Sequence, residues 1–276
     1  MIRFHAAVPA SFLLLSISLT SAGQTFERNN TVADAPPSAL QAPADSSVIV
    51  VRPELTTEQL ADLYMVHKDY RQAAETYKRL TQENPRNPVY LNKLGIALHQ
   101  QTALSLALKY YERATKVDPS YADAHNNIGT IWYQRKKYGK AIKCYQKALT
   151  LRKDMAVLYS NLGYAYFGDK KYEQSIASFH QALIIDPQFF EHNGGRTGSV
   201  LQDRSVTDRG RFYFMLAKSF AQSGNLERCI IYLRKAKDEG YSAIGTAKTD
   251  PDFAMVLKNP AMQEILAPKT ADGARP

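Results

Sequence analysis

The sequence contains few of the residues and motifs that mark metal centres and most enzyme active sites. Its 276 residues include only two cysteines and one tryptophan, and no Cys-x-x-Cys pair occurs. No two histidines stand four residues apart, and no glycine-rich loop has the spacing of a phosphate-binding motif. These absences exclude the common metal-ligand, nucleotide and nucleophile motifs, so we expect a protein that is not an enzyme and that binds no cofactor or metal.

Long runs of one charge and long apolar runs are also missing. The 35 Lys and Arg against 26 Asp and Glu give a net charge of +9, yet no five basic residues are consecutive. Scattered charge is typical of a solvated surface, so we expect no nucleic-acid partner. The apolar run Phe12–Leu19 is shorter than the roughly 20 residues that a membrane span requires, so we expect no integral span after removal of the leader.

That apolar run lies in an N-terminal segment with the features of an export signal. Arg3 precedes the run, and a Thr-Ser-Ala tripeptide ending at Ala22 is a small-residue cleavage site. We therefore expect residues 1–22 to be a signal peptide and the mature chain to be exported, either periplasmic or secreted. Retention of the segment as an anchor is the alternative.

What the chain has in abundance is a repeat of 34 residues. Gly95, Gly129 and Gly163 stand at this interval, and three further sets of positions keep the same step. The sets are Tyr64, Leu98, Trp132 and Tyr166; Ala73, Ala107, Ala141 and Ser175; and Tyr77, Tyr111, Tyr145 and Phe179. A period between 20 and 50 residues indicates stacked units, so the sequence predicts one continuous helical array.

Each unit reads as two helices joined by a short turn, because apolar residues recur at helical spacing on both sides of that turn. Pro85, Pro119 and Pro187 stand at the same phase. We expect them to end the outgoing helices, since proline lacks a backbone donor and clashes with the preceding turn. Gly129 on a first helix and Ala141 on a second are small enough to let the two helices pack closely.

The pattern resembles the tetratricopeptide repeat. In the second unit it consists of Leu94, Gly95, Leu98, Ala107, Tyr111, Ala114 and Pro119, and the third and fourth units follow it. The resemblance implies an all-α, right-handed superhelical solenoid of helix pairs, with four repeats at 54–87, 88–121, 122–155 and 156–189. Lys153 replaces the proline of the pattern, Ala61 a glycine and Ser175 a small alanine, without changing the predicted fold.

Four segments lie outside these regular repeats. Residues 23–53 are rich in Pro, Ala, Ser and Thr, which predicts a disordered linker; whether Val48–Val51 within it forms a strand or packs on the first helix stays open. Residues 188–209 include three glycines and break the period, so we expect a loop between repeats. The period resumes in a divergent fifth repeat at 210–241, and residues 242–276 are predicted to form a C-terminal helical cap and tail.

The repeat also assigns structural roles to residues that could otherwise carry chemistry. Cys144 lies in the second helix of the third repeat and Cys229 in the second helix of the fifth. A whole repeat stands between them, so their Cα atoms should exceed the roughly 7 Å that a disulfide spans. His125 occupies a helix-packing position, and we expect a structural role for it rather than a metal-ligand role.

In the family that the pattern resembles, the first helix of each pair lines a concave groove. Carried over by repeat position, the groove residues are Asn92, His99 and Gln100 in the second repeat; Asn126, Thr130, Tyr133 and Gln134 in the third; and Ser160, Tyr164 and Phe167 in the fourth. Amides can bond an extended backbone as donors and acceptors, and aromatic rings are typical interface anchors. We therefore expect another protein to bind there through an extended or helical segment. On this prediction, truncating Tyr133 and Phe167 removes binding and leaves thermal melting unchanged.

Three other interpretations are compatible with the sequence. The groove residues could be ordinary solvated side chains. The 188–209 insertion could belong to an enzyme-associated module, although its acid–base candidates are only Glu191, His192 and Asp203. The positive charge could hold a surface protein to an anionic envelope polymer, and such retention would fall steeply with salt.

Overall fold

The computed structural model describes residues 55–190 and 208–267. The predicted signal at 1–22, the linker at 23–53, nearly all of the 188–209 insertion and the end of the tail lie outside the described residues. The two described ranges are helical without a strand, so the all-α prediction is confirmed.

The helices form consecutive pairs, and each pair packs on the next one along the chain. The pairs are α1 (Thr57–Val66) with α2 (Tyr70–Glu83), α3 (Pro88–Gln100) with α4 (Leu104–Val117), α5 (Ala122–Gln134) with α6 (Tyr138–Leu151), α7 (Ala156–Gly168) with α8 (Tyr172–Ile185), and α9 (Arg209–Gln222) with α10 (Leu226–Asp238).

The ends of the second helices follow the repeat more closely than they follow proline. Helices α2, α4 and α8 end two residues before Pro85, Pro119 and Pro187, as the ring clash predicts. Helix α6 ends at Leu151, two residues before Lys153, where the sequence has no proline. Packing in the array therefore ends the helix at this phase even without the steric block.

The turn within each pair uses a left-handed residue at a fixed position. Lys68, Thr102, Lys136 and Lys170 have φ angles of 61°, 62°, 56° and 60°, and Gly224 in the fifth pair has a φ of 78°. This conformation costs an L-residue about 1–2 kcal/mol, whereas glycine adopts it freely. The tight reversal recurs because each second helix must return directly onto its first.

A glycine and an aromatic ring interlock within each of three pairs. The rings of Tyr111, Tyr145 and Phe179 are fully buried, and the Cδ1, Cε1 and Cζ atoms of each lie against the glycine of its own first helix. A Cβ atom at Gly129 would come within 2.6 Å of Tyr145 Cε1, which is too close for real carbon atoms. Thus the glycines of the 34-residue repeat are the places where the second helix approaches most closely.

The serine that departs from the family pattern has a bonding role. Ser175 stands on α8, where the other repeats have alanine, and it is fully buried. Its Oγ donates a hydrogen bond of 2.8 Å to the carbonyl oxygen of Gly163 on α7. The serine therefore adds a hydrogen bond between the two helices of the fourth pair.

Aromatic packing joins the fifth pair to the fourth, although an insertion separates them in sequence. Phe212 on α9 is fully buried and stacks on Tyr164 at 5.3 Å between ring centroids. It also meets Phe167 and Phe179 edge-on, each at 5.7 Å. The apolar core therefore continues from α7 and α8 into α9.

Short helices cover the last pair. A 3₁₀ segment at Ser242–Lys248, a 3₁₀ turn at Pro251–Phe253 and α11 (Pro260–Leu266) follow α10. They bury Phe253, Val256, Met262, Ile265 and Leu266, which are at most 7% exposed. The caps Asp250 and Asn259 accept backbone N–H bonds immediately before the two prolines that start helical turns.

Candidate functional site

The first helices of neighbouring pairs lie side by side and are linked by polar side chains. Helix α3 contacts α5, and α5 contacts α7. The linking residues, which we call the polar seam, are Glu58, Asp62, Lys93, Asn92, His99, Asn126, Asn127, Gln134 and Asn161. This seam runs along the face to which the sequence assigned the binding groove.

At the α1 end of the seam, Lys93 holds two carboxylates. Its Nζ lies 2.8 Å from Asp62 Oδ1 and 3.1 Å from Glu58 Oε1. Partial burial lowers the pKa of Lys93, but the hydrogen bonds to Asp62 and Glu58 outweigh this effect and raise it. Hydrogen bonds from Tyr90 and Lys93 in turn lower the pKa of Glu58. Both shifts favour the charged forms of Lys93 and Glu58, and one cation faces two carboxylates at this end of the seam.

An asparagine ladder forms the middle of the seam. Asn127 donates to Asn92 at 2.9 Å, and Asn161 donates to Asn126 at 2.9 Å. Their exposed fractions are between 0% and 3%. Asn92 and Asn126 were predicted as groove residues, but their side-chain amides form hydrogen bonds between repeats. This agrees with the rule that buried polar groups are hydrogen-bonded.

Tyrosine hydroxyls from the second helices reach the seam in register. Tyr77 donates to Asp62, and Tyr145 donates to Thr130 Oγ1 at 3.2 Å. The equivalent partner of Tyr111 would be Ile96, which cannot accept a hydrogen bond. The hydroxyl of Tyr111 is consequently buried without a hydrogen-bond partner.

The aromatic residues predicted as groove anchors lie in the interior. Tyr133, Tyr164 and Phe167 are 7%, 4% and 7% exposed. Phe212 from the fifth pair covers Tyr164 and Phe167, and Tyr133 packs edge-on against Tyr138 at 5.4 Å. The expectation that Tyr133 and Phe167 can be truncated without effect on melting is therefore wrong, because removing a buried aromatic ring costs about 3–5 kcal/mol.

Two predicted polar residues share this burial. Thr130 is 2% exposed and accepts the bond from Tyr145. Ser160 is 0% exposed, and its hydroxyl has no hydrogen-bond partner. Neither hydroxyl presents itself to solvent.

Three of the predicted residues are accessible, and they lie at the C-terminal ends of α3 and α5. His99 is half-buried, while Gln100 and Gln134 are exposed. His99 Nε2 donates to Gln134 Oε1 at 3.0 Å and so joins α3 to α5. Burial lowers the pKa of His99, which keeps the ring neutral near pH 7. We call His99, Gln100 and Gln134 the amide edge.

The described residues do not assemble a metal site. No group of three His, Cys, Asp or Glu side chains in ranges 55–190 and 208–267 could hold a metal ion. Cys144 and Cys229 are free, and burial raises their pKa values to about 11 and about 12, which keeps both thiols protonated. His125 Nε2 lies 3.0 Å from the carbonyl oxygen of Pro119, a structural contact.

In the part of the chain that the structure describes, none of the helices has both the length and the apolar character needed to cross a bilayer.

Position in the repeat alone would have revealed some of the residues that the sequence analysis missed. Tyr111 stands fifteen residues after Ile96, the same step that separates Tyr145 from Thr130 and Tyr77 from Asp62. Comparing these pairs exposes the one tyrosine that faces an apolar residue. The Lys93 cluster had no such signal, because its bonds cross between repeats.

Solved structures with similar folds include two forms of MamA and the protein YrrB. A crystal structure of MamA is 20% identical, with a TM-score of 0.47, and covers 65% of this chain and 94% of its own. MamA from residue 41 to its end, from Desulfovibrio magneticus RS-1, is 17% identical with a TM-score of 0.48, covering 67% and 94%. YrrB, a TPR protein with an unusual peptide-binding site, is 17% identical with a TM-score of 0.46, covering 70% and 90%. No curated protein matches the chain.

Sequence models of protein families identify the family of this chain. One model described as Tetratricopeptide repeat matches residues 122–155 and 156–189. Two others with the same description match 59–114 and 210–238. The matches cover more than half of the sequence, including the divergent fifth pair, and the chain belongs to the tetratricopeptide repeat family.

Proposed function

We propose that this protein is an exported, non-catalytic scaffold that binds an extended or helical segment of another protein at the amide edge. Tetratricopeptide repeats typically bind other proteins. The observation that carries the proposal is the amide edge itself. Its three side chains are the members of the predicted groove that solvent reaches, and they lie at the junction of two repeats.

The two helices that carry the amide edge are joined to each other, which favours binding because little order is lost on association. Asn127 and Asn92 tie α5 to α3 through buried amides. Gln100 and Gln134 each offer an acceptor and two donors, so they can pair with both polar groups of a peptide backbone. Such contacts are hydrogen bonds and require no catalytic group.

A second feature of this region fits a ligand. The ring of His99 meets the ring of Tyr111 edge-on at 6.5 Å between centroids, and the hydroxyl of Tyr111 has no hydrogen-bond partner. A buried hydroxyl without a partner costs about 1–3 kcal/mol. A bound segment that shifts His99 and places a polar atom there would recover this energy.

Peptide selection followed by binding measurements tests the proposal. Peptides are selected from a random display library on the full-length protein, and their affinities are measured by fluorescence anisotropy. The Gln100→Ala/Gln134→Ala variant should bind the selected peptides at least tenfold more weakly. Circular dichroism should show a melting temperature lowered by no more than a few degrees, because both side chains are exposed and the variant loses only the bond between His99 and Gln134.

The matched control replaces two exposed glutamines on second helices, Gln82 and Gln181, with alanine. This variant should bind the peptides as the parent does. Equal binding by the amide-edge variant and the parent would contradict the proposal.

The export component has its own test, because it depends on residues 1–22. The protein is produced with a periplasmic export pathway available, and the N-terminus of the accumulated protein is sequenced. A mature chain that begins at Gly23 supports export. An intact N-terminus in the cytoplasmic fraction contradicts it.

A further inference from the structure

One stretch of the chain concentrates positive charge to a degree that the overall composition conceals. Residues 135–153 contain eight Lys and Arg and no Asp or Glu. They comprise the turn before α6, the whole of α6 and the two residues after it. No other property of the fold described above requires this bias, since the buried face of α6 is formed by Ala141, Ile142, Tyr145 and Ala148.

Helix geometry places these charges on one surface. Lys140, Lys143 and Lys147 are exposed and recur at intervals of three and four residues, so they form a ridge along the outer face of α6. The ridge rises about 10 Å from the first to the last of them. Lys136 and Lys153, also exposed, stand just before and just after α6 in the chain.

The neighbouring repeat widens the ridge. Lys109 on α4 stands 34 residues before Lys143, and Arg113 stands 34 residues before Lys147, so each pair occupies the same repeat position. Lys109 is exposed and Arg113 half-buried. Like charges at equivalent positions of adjacent repeats reinforce one another's potential, which raises the local concentration of anions.

Lys140 places its Nζ 4.4 Å from the centroid of the Trp132 ring, a cation–π contact, whereas Arg135 and Arg152 also make hydrogen bonds or ion pairs. Arg135 donates to Ser105 Oγ at 3.0 Å and lies over the ring of Trp132. Arg152 lies 3.7 Å from Asp123 and 3.9 Å from Asp154. Within the described residues, the five lysines of the ridge form no ion pair; we call Lys136, Lys140, Lys143, Lys147 and Lys153 the lysine ridge.

We propose that the lysine ridge is a second docking surface, separate from the amide edge, that binds an acidic segment of a partner protein. Carboxylates on one face of an extended chain repeat every two residues, or about 6.7 Å. The lysines of α6 rise about 4.5 and 6 Å from one to the next, so an acidic segment laid along the helix can pair with them successively. The protein then holds two partners on opposite helices of its repeats.

The chemistry of the ridge favours an acidic protein segment over a nucleic acid or a membrane. Phosphate recognition typically uses bidentate arginine. Arg135 and Arg152 are already bonded, and Arg113 lies over the ring of Tyr110. Interfacial membrane helices insert apolar side chains, and α6, which is described throughout, exposes no large apolar side chain. Lysine ammonium groups, as compact point charges, suit carboxylates without demanding a fixed orientation.

Binding of a defined acidic probe tests this proposal. The probe is a fluorescein-labelled octaglutamate, titrated with the full-length protein at low salt and at 0.15 M salt. The test variant is Lys143→Gln/Lys147→Gln/Lys153→Gln, and the control variant is Lys78→Gln/Lys248→Gln/Lys258→Gln. All six lysines are exposed, and both variants lose three charges.

We expect the ridge variant to bind the probe about tenfold more weakly, because each surface ion pair contributes modestly and three are lost. The control variant should change affinity by less than twofold, and binding by the parent should weaken as salt rises. Equal losses in the two variants would overturn the proposal, since net charge alone would then explain the binding. Failure of the parent to bind the probe at low salt would overturn it as well.

Two further probes decide the class of partner. Vesicles that contain phosphatidylglycerol and an eight-nucleotide single-stranded DNA are titrated under the same conditions. Weaker binding of both than of octaglutamate supports the acidic protein segment. Tighter binding of either one, with loss in the ridge variant, assigns the surface to a membrane or a nucleic acid and refutes the proposal. Neither result bears on the binding of the selected peptides at the amide edge.

Discussion

The glycine at the centre of the third pair offers a sharp test of how the helices interlock. In Gly129→Ala, the new Cβ would lie 2.6 Å from Cε1 and 2.8 Å from Cδ1 of Tyr145. The ring cannot withdraw freely, because Tyr145 is fully buried and its hydroxyl donates to Thr130. Either the two helices separate or the ring turns and gives up that bond.

The expected magnitude follows from three contributions. Overpacking a buried site costs about 1–3 kcal/mol. Loss of the hydrogen bond from Tyr145 to Thr130 adds about 1 kcal/mol when the ring turns. Replacing a helical glycine by alanine returns about 1 kcal/mol. The net destabilisation is about 1–3 kcal/mol, which lowers the melting temperature by roughly 2–4 °C per kcal/mol in a domain of this size.

Thermal and urea unfolding, followed by circular dichroism, measure this change. The control is Gly139→Ala on α6, where no atom lies within 4 Å of the added Cβ. That control should be neutral or stabilised by up to about 1 kcal/mol. In a Tyr145→Leu background, Gly129→Ala should lose most of its cost, because the clashing ring atoms are gone. A Gly129→Ala protein as stable as the parent would refute the interlocking argument.

The first helix pair has an alanine, Ala61, at the repeat position that Gly129 occupies in the third pair. Ala61 on α1 faces Tyr77, and both are fully buried. In this pair an alanine and a buried tyrosine therefore pack together, whereas in the third pair Tyr145 leaves no room for a Cβ at Gly129.

Three further predictions concern the core and the seam. Phe212→Ala should cost about 3–5 kcal/mol and uncouple the fifth pair, seen as a separate, earlier transition in urea. Tyr111→Phe should leave stability unchanged or raise it, whereas Tyr145→Phe should lower it by about 1 kcal/mol; paired urea curves distinguish them. Burial lowers the pKa of His99 below its ordinary value of 6.5, so the unfolded chain binds more protons and stability falls as the pH drops below about 6.5. His99→Gln should show a shallower loss between pH 6.5 and 5; identical pH profiles would contradict this.

The sequence predicted the helices well because they follow from spacing alone. Gly95, Gly129 and Gly163 mark close helix approaches, and the aromatic ring opposite each one stands sixteen residues later. Such contacts are local, so a single repeat contains both partners. The ends of α2, α4 and α8 were equally predictable, because the proline that stops each helix follows it directly in the sequence.

The candidate site was predicted less well, because the burial of its residues depends on contacts between repeats. Repeat position placed Tyr164 and Phe167 on the first helix correctly, yet Phe212 from beyond the insertion covers both. Asn92 and Asn126 are likewise bonded to asparagines of neighbouring repeats. No pattern within one repeat reports such lateral partners.

The charge of the surface shows the same limit. A count of consecutive basic residues found no run of five, because helical spacing spreads Lys140, Lys143 and Lys147 along the sequence. The helix gathers them onto one ridge, and the absence of acidic residues from 135–153 completes the bias. Charge along a helical repeat is therefore better judged by helix face than by run length.

Photo-crosslinking at the amide edge tests the central claim most directly. Benzoylphenylalanine is introduced at Gln134 and, as a control, at Gln181 on α8, and each protein is irradiated with a peptide selected on the parent. We predict an adduct from position 134 that excess unlabelled peptide abolishes, and none from position 181. An adduct from position 181 alone, or equal adducts from both, would contradict binding at the amide edge.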